Sequence, residues 1–297
     1  MIRLAIRVRG EQAELALAEL LELAPSGVEE VRLADQTVEY AAYGAPGELP
    51  TLPDLKAAVG GALVDVSSSE VADDWQERWR RFHRPVMVEA PAGPGRGAHA
   101  VPALRVRPPW EEAGARSDAV EEIVIDPGQA FGTGAHASTR LCLALLLELA
   151  ATERARAALL DVGTGSGVLA IAAARLGFAP VLALDNERAS VEAASVNAAA
   201  NGAEIAVRQF DLRRQTLPWL DGEVAPAGPV AVIANLLGPL LLELARTMGR
   251  APAHLLAGGL LPEQCERTAR AFAARLGMRE RERRRCGSWA AMWLTAP

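Results

Sequence analysis

The first 66 residues alternate between strand-like and helix-like patterns of apolar positions. Residues 2–8 alternate apolar and polar side chains as a half-buried strand does, and residues 11–24 place apolar side chains on one helical face. The elements that follow are two strands, a short helix and a strand, at residues 28–33, 38–43, 52–59 and 63–66. The order β-α-β-β-α-β is typical of the ferredoxin-like α+β arrangement. We therefore predict a small N-terminal domain over residues 1–66.

A polar, helix-forming segment follows this domain. Trp75, Trp79 and Phe82 recur at helical spacing within it, and Pro85 ends the pattern. We predict a linker helix over residues 67–85 that packs its aromatic stripe on a neighbouring domain.

Two further segments carry weaker signals. Residues 78–84 interleave basic and aromatic side chains and could contact RNA, but the solvated face of a helix is the favoured interpretation. Residues 91–102 are rich in Gly, Pro and Ala, which predicts a mobile loop between strands at 86–89 and 104–107.

From residue 159 onward, short apolar runs alternate with helix-like stretches. The runs lie at residues 159–162, 181–185, 205–210, 230–235 and 254–257. A hairpin-like pair of strands follows at 279–286 and 288–294. This alternation predicts an α/β fold, a doubly wound and mostly parallel seven-stranded sheet with helices on both faces. We place this second domain at residues 86–297.

Composition narrows the class of protein. Half of the residues (50%) are hydrophobic and 23% are charged, which excludes a disordered chain and allows a large core. The net charge of −6 argues against nucleic acid as the main partner. The three cysteines lie far apart, so neither a zinc site nor a disulfide framework is indicated. No signal peptide or membrane segment is evident, and we expect a monomeric, cytoplasmic protein without a metal.

The strongest chemical signal is the glycine-rich segment 161–167, which directly follows an apolar run and precedes a helical pattern. Gly163 and Gly165 permit a tight turn and let the backbone approach a ligand. Asp185 ends the next predicted strand, 22 residues after Gly163, where a carboxylate can accept hydrogen bonds from ribose hydroxyls. The combination predicts a nucleoside site, because a glycine turn without a ligand would leave both Asp161 and Asp185 unexplained.

The spacing of the glycines selects among nucleoside cofactors. A dinucleotide site prefers G-x-G-x-x-G, whose third glycine lets the helix pack closely on the strand. This chain has Val168 at that position, and Asp161 is a poor neighbour for a diphosphate but suits an ammonium group. S-adenosylmethionine has an ammonium group, a ribose and no phosphate, so we predict it as the cofactor. A nicotinamide-dinucleotide oxidoreductase is the disfavoured alternative.

A second glycine-rich segment, residues 126–139, precedes a helical pattern at residues 140–149. It can fold over a ligand, and backbone N–H groups near Ser138 and Thr139 could hold a carboxylate at the start of the helix. A helix cap is an equally good role for Thr139. For His136, a local hydrogen bond is favoured over a role as a base.

The third segment is residues 235–239, at the end of the fourth predicted strand of the α/β sheet, where ligands bind in such folds. Asn235 and the backbone carbonyls after it can accept hydrogen bonds from an amine. Alone, Asn235 would be better interpreted as a helix cap; with the other two segments, we favour a functional role. Asp211, after the third strand, could meet an adenine amino group or could start a helix.

With these three segments in this order, the chain resembles the class I S-adenosylmethionine-dependent methyltransferases of the ribosomal-protein (PrmA) type. The resemblance covers about residues 104–261, and the run 126–139 is specific to that family. It implies methylation of lysine or N-terminal amines of the large-subunit ribosomal protein numbered eleven. It also implies that the N-terminal domain recognises this substrate.

The resemblance also assigns roles to site residues. Four residues fall on the family's cofactor-contact positions: Thr139, Gly163, Asp185 and Asn235. The predicted cofactor site is completed by Asp161, Gly165 and Asp211. For catalysis we expect the Asn235 side-chain oxygen and the Leu236 carbonyl to accept the hydrogens of the acceptor amine and to aim its lone pair at the methyl group.

The chain departs from the family's pattern at several positions, so we retain other methyl acceptors and a non-catalytic protein as alternatives. Ala135 stands where Thr is usual, residues 91–102 look inserted, and the C-terminal hairpin follows the family's ending only loosely. The alternatives are a methyltransferase of the same fold that acts on another protein or a small molecule, and a non-catalytic protein that binds a ribosomal partner.

Overall fold

The computed structural model describes residues 2–24, 28–33, 36–44, 49–70, 83–89, 101–115, 117–127, 134–152, 157–220 and 226–297. These residues form two compact units, one up to Glu70 and one from His83 onward. The aromatic stripe of the predicted linker helix lies outside the described residues, as do most of the basic cluster and most of the 91–102 loop. Across the described ranges, no helix combines the length and apolar character needed to cross a membrane.

The N-terminal unit is a four-stranded antiparallel sheet with two helices. Its elements are β1 (Ile2–Arg9), α1 (Ala13–Leu23), β2 (Glu29–Arg32), β3 (Thr37–Gly44), α2 (Leu52–Val59) and β4 (Leu63–Glu70). The strands lie in the order β2-β3-β1-β4. Leu4, Ile6 and Val8 alternate along β1 and share one core with Leu20 of α1 and Leu55 of α2. The helices therefore bury one face of this sheet.

Strand β4 is longer than its apolar pattern predicts. The pattern ends at Val66, but the strand continues to Glu70 because Ser67 and Ser69 pair with Ala5 and Arg3 of β1. The predicted linker helix over residues 67–85 is therefore wrong at its start, since residues 67–70 belong to β4. Consecutive serines carry no apolar signal, so pairing with β1 decides their conformation.

The second unit begins with a small three-stranded sheet. Strand β5 (Val86–Val88) is antiparallel to β6 (Ala103–Arg107), and β7 (Val120–Val124) runs parallel to β6. The sequence analysis missed β7 because Glu121 and Glu122 interrupt its apolar run. Both carboxylates form ion pairs with arginines, which is how the strand accommodates them.

The rest of the second unit is α/β with a central mixed sheet. Its strands are β8 (Ala158–Val162), β9 (Val181–Asp185), β10 (Ala206–Gln209), β11 (Val230–Asn235), β12 (His254–Leu260), β13 (Arg279–Cys286) and β14 (Trp289–Thr295), in the order β10-β9-β8-β11-β12-β14-β13. Its helices are α3 (Ala137–Thr152), α4 (Val168–Arg175), α5 (Arg188–Ala200), α6 (Gly238–Thr247) and α7 (Pro262–Leu276). Strands β8 to β12 pair in parallel, whereas β14 is antiparallel to both of its neighbours. The predicted α/β class is confirmed.

Both faces of this sheet are buried. Strands β8 and β9 are buried along their whole length, as central strands with helices on both sides are. Leu159 packs in one apolar layer with Ile171 of α4, and the next residue, Leu160, packs in the other layer with Leu241 of α6 and Phe272 of α7. The carboxyl ends of β8, β9, β11 and β12 therefore meet at one edge, where the predicted site residues lie.

Strand β13 forms the outer edge of the sheet and carries a run of arginines. Arg283 pairs with Glu280, and Arg284 pairs with Glu148 and Glu282. The segment is thus a charged edge strand and belongs to the hairpin-like pair that the sequence predicts. Side chains of this kind discourage an exposed strand from pairing with other chains.

Candidate functional site

Residues 161–167, here called the glycine loop, turn sharply between β8 and α4. The N–H groups of Gly163 and Thr164 both donate to the Leu184 carbonyl, at 2.8 and 2.9 Å, which fastens the loop to the end of β9. Gly163 has a φ of 77°, and a side chain on it would overlap the side chain of Leu236. The loop therefore requires glycine here for its conformation and for the close contact.

Asp161 is fully buried at the start of the glycine loop. Its Oδ2 atom accepts a hydrogen bond of 2.6 Å from the Thr164 hydroxyl, whereas its buried Oδ1 atom finds no hydrogen-bond partner among the described residues. Burial, helped by the nearby charge of Asp185, raises the pKa of the Asp161 carboxyl to about 7 although the Thr164 bond lowers it. A buried carboxyl with one uncommitted oxygen is suited to a cationic group.

Asp185 ends the neighbouring strand, β9. Its Oδ2 atom accepts a hydrogen bond of 2.9 Å from the N–H of Gly165, and its Oδ1 atom accepts one of 3.0 Å from the N–H of Glu187. Backbone groups thus orient both oxygens, and each oxygen keeps a second lone pair for a further donor. The structure brings Gly165 and Asp185 together, and the ribose contact of Asp185 stays a prediction.

Asp211 lies just beyond β10 and supports its own turn. Its Oδ1 atom accepts a hydrogen bond of 2.9 Å from the N–H of Arg213, and its Oδ2 atom lies 3.3 Å from Nε of Arg214. The preceding residue, Phe210, donates its N–H to the Asp185 carbonyl at 2.7 Å, which keeps this turn beside the end of β9. The turn-forming role is observed, and contact with an adenine amino group stays a prediction.

Asn235, the last residue of β11, contacts the first turn of α3. Its Nδ2 atom donates to Thr139 Oγ1 at 3.3 Å, and Thr139 is fully buried. Its Oδ1 atom is buried with no hydrogen-bond partner in the described part of the chain. Helix α6 starts without a side-chain cap, and α3 begins at Ala137, three residues before its predicted start. The capping interpretations of Asn235 and Thr139 are therefore wrong.

Leu236 connects the glycine loop with β12. Its side chain fills the space beside Gly163, and its N–H donates to the Gly258 carbonyl at 3.2 Å. The backbone that follows Asn235 is thereby held at the carboxyl edge of the sheet, next to the glycine loop.

His136 makes the local contact that was favoured for it. Its Nδ1 atom lies 2.8 Å from Ser138 Oγ, and its ring packs edge-on against Trp289 with the ring centroids 4.7 Å apart. Burial, with a smaller effect from the charge of Arg140, lowers the pKa of His136 to about 4. The imidazole is therefore neutral at physiological pH and a weak base.

Asn197 of α5 ties Asp126 to the glycine loop, and Asn201, directly after α5, holds Val124 of β7; neither contact was predicted from the sequence. Asn197 donates to the Ser166 carbonyl at 2.8 Å and accepts from the Asp126 N–H at 3.0 Å. Asn201, one turn later, bonds to the N–H and the carbonyl of Val124 at 2.8 and 2.6 Å. Asparagine is unfavourable inside a helix, so Asn197 alone was an available signal, whereas Asn201 follows the last residue of α5.

The chemistry of the site follows from these groups. Two buried oxygens, Asp161 Oδ1 and Asn235 Oδ1, lie at the ends of the adjacent strands β8 and β11 and have no partner within the described ranges. No group of three or more potential metal ligands is found among the residues that the structure describes. Carboxylate, amide and carbonyl oxygens beside a bent glycine backbone suit an organic ligand that presents cationic or amine groups.

Comparisons with known proteins relate this chain to one family of methyltransferases. A family model described as Ribosomal protein L11 methyltransferase (PrmA) matches residues 51–296. A relative named ribosomal protein L11 methyltransferase, from Syntrophotalea carbinolica, is 34% identical over 90% of this chain and 78% of its own length. A relative of the same name from Sorangium cellulosum is 32% identical over 90% of this chain and 81% of its own length. The crystal structure of ribosomal protein L11 methylase from Lactobacillus delbrueckii subsp. bulgaricus matches with a TM-score of 0.55 and 28% identity, over 71% of this chain and 98% of that one.

Proposed function

The chain belongs to the ribosomal protein L11 methyltransferase family, and from this premise we propose that it transfers methyl groups from S-adenosylmethionine to lysine or N-terminal amines of ribosomal protein L11. It is thus an S-adenosylmethionine-dependent methyltransferase. The observation that carries the proposal is the pair of buried oxygens, Asp161 Oδ1 and Asn235 Oδ1, at adjacent strand ends. The first suits the ammonium group of the methyl donor, and the second suits the acceptor amine.

The residues at the site fit S-adenosylmethionine. Asp161 offers a buried, uncommitted oxygen to the ammonium group, and Asp185 keeps a lone pair on each oxygen for the ribose hydroxyls. Gly163 and Gly165, with φ values of 77° and 53°, give the glycine loop the turn that we propose brings its backbone to the nucleoside. The remaining proposed contacts are Thr139, Gly163, Gly165, Asp211 and Asn235.

The chemistry requires a neutral, oriented acceptor. S-adenosylmethionine, when bound, supplies an electrophilic methyl carbon: a nitrogen–carbon bond forms while the carbon–sulfur bond breaks and its electron pair stays on sulfur. A lysine amine has a pKa of about 10.4, so it must first lose a proton to solvent, and desolvation favours that loss. Asn235 Oδ1 and the Leu236 carbonyl accept the hydrogens of the neutral amine and orient its lone pair. Orientation of this kind can supply roughly 7–11 kcal/mol without a dedicated base.

We assign substrate recognition to the N-terminal unit. Its β-α-β-β-α-β element order and its strand order support a ferredoxin-like domain. Residues 1–70 contain twelve acidic and five basic residues, a net charge of −7, whereas the whole chain has a net charge of −6, so all of the chain's excess negative charge lies here. Proteins that bind RNA carry basic surfaces. A ribosomal protein with such a surface is attracted to the acidic N-terminal unit. The proposal includes a monomer that acts in the cytoplasm and has no nucleic acid as its main partner.

Transfer of labelled methyl groups tests the proposal. The full chain is incubated with labelled S-adenosylmethionine and either purified L11 or a lysate of cells that lack their own enzyme. We expect label in L11 in both cases and about 100-fold slower labelling with the Asn235→Ala variant. Label in another protein would identify a different acceptor. S-adenosylmethionine binding without any transfer would favour a non-catalytic ribosome-binding protein. Calorimetric titration with a nicotinamide dinucleotide controls for the choice of cofactor, and we expect no heat from it.

A further inference from the structure

Two glycines near the carboxyl end of β12 interrupt its pairing with β14. The register between these strands shifts just before Leu260, so Gly258 and Gly259 form an irregularity at the carboxyl end of β12. In the parallel pairing with β11, Gly258 lies opposite Asn235. The two glycines therefore adjoin residues 235–238, here called the Asn235 loop.

Gly258 contacts the first part of the Asn235 loop. A methyl group on Gly258 would lie 3.0 Å from Asn235 Oδ1 and would overlap Cys142 Sγ. The Gly258 carbonyl accepts the Leu236 N–H at 3.2 Å. The missing side chain thus leaves room for the Asn235 amide, and the carbonyl holds the peptide that follows it.

Gly259 contacts the next part of the loop. Its φ is 76°, and a methyl group on it would lie 2.8 Å from the carbonyl carbon and 3.1 Å from the nitrogen of Leu236, overlapping the Leu236 carbonyl oxygen. These are backbone atoms, which cannot swing aside as the end of a flexible side chain can. The surface of Gly259 therefore sets the position of the Leu236 carbonyl.

Gln264, in the first turn of α7, contacts the far end of the loop. Its Oε1 atom accepts the Leu261 N–H at 3.0 Å, and a methyl group on Gly238 would lie 2.9 Å from the same atom. Gly238 is the first residue of α6. Gln264 thus supports the loop at the point where the next helix begins.

We propose that Gly258, Gly259 and Gln264 form a positioning brace for the acceptor amine. Each of them contacts a different part of the Asn235 loop, and together they hold Asn235 Oδ1 and the Leu236 carbonyl in the orientation that receives the amine. They are positioning residues, since they act through the loop. The inference rests on the proposed function, because that function assigns the two oxygens to the acceptor.

The brace predicts a specific kinetic signature. Misplacing a reacting group by about 1 Å can lower the rate about 10²-fold. The glycine loop is fastened by hydrogen bonds to the Leu184 carbonyl and the Asp185 carboxylate of β9, so the Leu236 side chain beside Gly163 is not its only support. A disturbed brace should therefore lower kcat and leave the binding of S-adenosylmethionine nearly unchanged.

Gly259→Ala tests the brace, with Gly177→Ala as the matched control. Gly177 has a φ of 92°, but a methyl group there would meet nothing within 4 Å, so the control introduces backbone strain without a contact. With the full chain and L11, we expect kcat to fall about 100-fold in Gly259→Ala. We expect the dissociation constant for S-adenosylmethionine, measured by calorimetry, to stay within about twofold. Gly177→Ala should keep the wild-type kcat and lose only the thermal stability that the backbone strain costs.

Two further measurements do not depend on the activity of Gly259→Ala. Amide hydrogen exchange at Leu236, whose N–H donates to Gly258, should speed up about tenfold in Gly259→Ala and stay unchanged in Gly177→Ala. If Gly259→Ala does not fold, Gln264→Ala takes its place, since this side chain is only half-buried. Its kcat should fall about tenfold, and Gln264→Glu, which keeps the oxygen that accepts the Leu261 N–H, should restore most of the loss.

Several outcomes would overturn the brace. These are a kcat of Gly259→Ala within about twofold of wild type, equal losses in both glycine variants, or a loss of donor affinity as large as the loss of kcat. If the wild-type chain labels a different protein, only the proposed substrate is overturned, and the variants are compared on that protein. If it binds the donor but labels no protein, the proposed function and the brace are both overturned.

Discussion

The side-chain nitrogen of Asn235 donates a hydrogen bond to the hydroxyl oxygen of Thr139 over 3.3 Å, and the two residues are 96 positions apart in the chain. The bond joins the end of β11 to the first turn of α3, so two of the predicted segments form one site. Because the nitrogen of Asn235 is engaged, its Oδ1 atom is the one left to accept an amine hydrogen. Thr139 therefore helps to decide which atom of Asn235 is available for the proposed contact with the acceptor amine.

Thr139→Val should lower turnover about tenfold and destabilise the protein by about 1–3 kcal/mol, because the buried Asn235 nitrogen loses its acceptor. Valine has nearly the same shape as threonine, so packing is preserved. Thr139→Ser keeps the hydroxyl and should recover most of both losses. Methyl transfer to L11 and thermal unfolding measure the two effects. Wild-type turnover in Thr139→Val would show that the bond does not orient Asn235.

Asn235→Ala should lower kcat far more than it lowers donor affinity, by about 10²-fold, because the amine is aligned mainly in the transition state. Asn235→Asp is the sharper test, since a carboxylate is nearly isosteric but charged. It would hold the acceptor as an ammonium group whose lone pair is protonated. Near-normal turnover of Asn235→Asp at neutral pH would replace the orienting role with that of a general base. Steady-state kinetics with L11 and donor titrations separate these results.

The buried carboxyl of Asp161 makes stability depend on pH. Its pKa of about 7 in the folded protein lies above its ordinary value of 3.8, so the unfolded chain releases this proton first as the pH rises. Stability is therefore lost between about pH 4 and pH 7 and changes little above that from this group. Asp161→Asn should raise the free energy of unfolding by on the order of 2 kcal/mol at pH 8 and much less at pH 4. Denaturant unfolding at both pH values measures the gain, and an equal gain at both would contradict this account.

Asp185→Ala should weaken S-adenosylmethionine binding by about 1.5–3 kcal/mol, because it removes a charged acceptor and the bond that orients Gly165. Asp211→Ala is the comparison, since its carboxylate contacts Arg213 and Arg214 of its own turn. We expect that variant to lose less than about 1 kcal/mol. Calorimetric titration measures both, and unchanged affinity in Asp185→Ala would exclude the ribose contact.

The acidic N-terminal unit predicts recognition that depends on salt. Glu14 and Glu19 are exposed on α1. The double variant Glu14→Lys/Glu19→Lys should raise the KM for L11 about threefold to tenfold at low salt, and the effect should shrink at about 0.5 M salt because the charges are screened. Donor affinity should not change, because the predicted donor contacts all belong to the second unit. A KM for L11 that is insensitive to both the charge reversal and the salt would place recognition elsewhere.

The local sequence pattern was sufficient to predict the positions of some site residues. The glycine loop directly follows the apolar run of β8, and Asp185 ends the next run, so chain connectivity alone places them at the same edge of a parallel sheet. Val168 likewise argued against a dinucleotide from its spacing alone. These features depend on residues close together in sequence or on the general geometry of α/β sheets.

Contacts between distant residues could not be obtained in this way. A hydroxyl at Thr139 and an amide at Asn235 each have a plausible local role as a helix cap, and only the packing of α3 against β11 excludes it. Asn197 holds Asp126 from a helix 71 positions away, which leaves no periodic pattern in the sequence. Ser67 and Ser69 carry no apolar signal and are extended because β1 lies beside them.

Under the proposed contact between Asp161 and the ammonium group of S-adenosylmethionine, we expect this carboxyl to link the lifetime of the enzyme to the supply of its methyl donor. A buried acid lowers the stability of the folded chain, and a bound cation restores the stability that was lost. Each tenfold excess of ligand over its dissociation constant adds about 1.4 kcal/mol to the free energy of unfolding. When cells hold little S-adenosylmethionine, a larger fraction of the enzyme is unfolded and open to proteases. Enzyme abundance then follows donor abundance by mass action, without any change in synthesis.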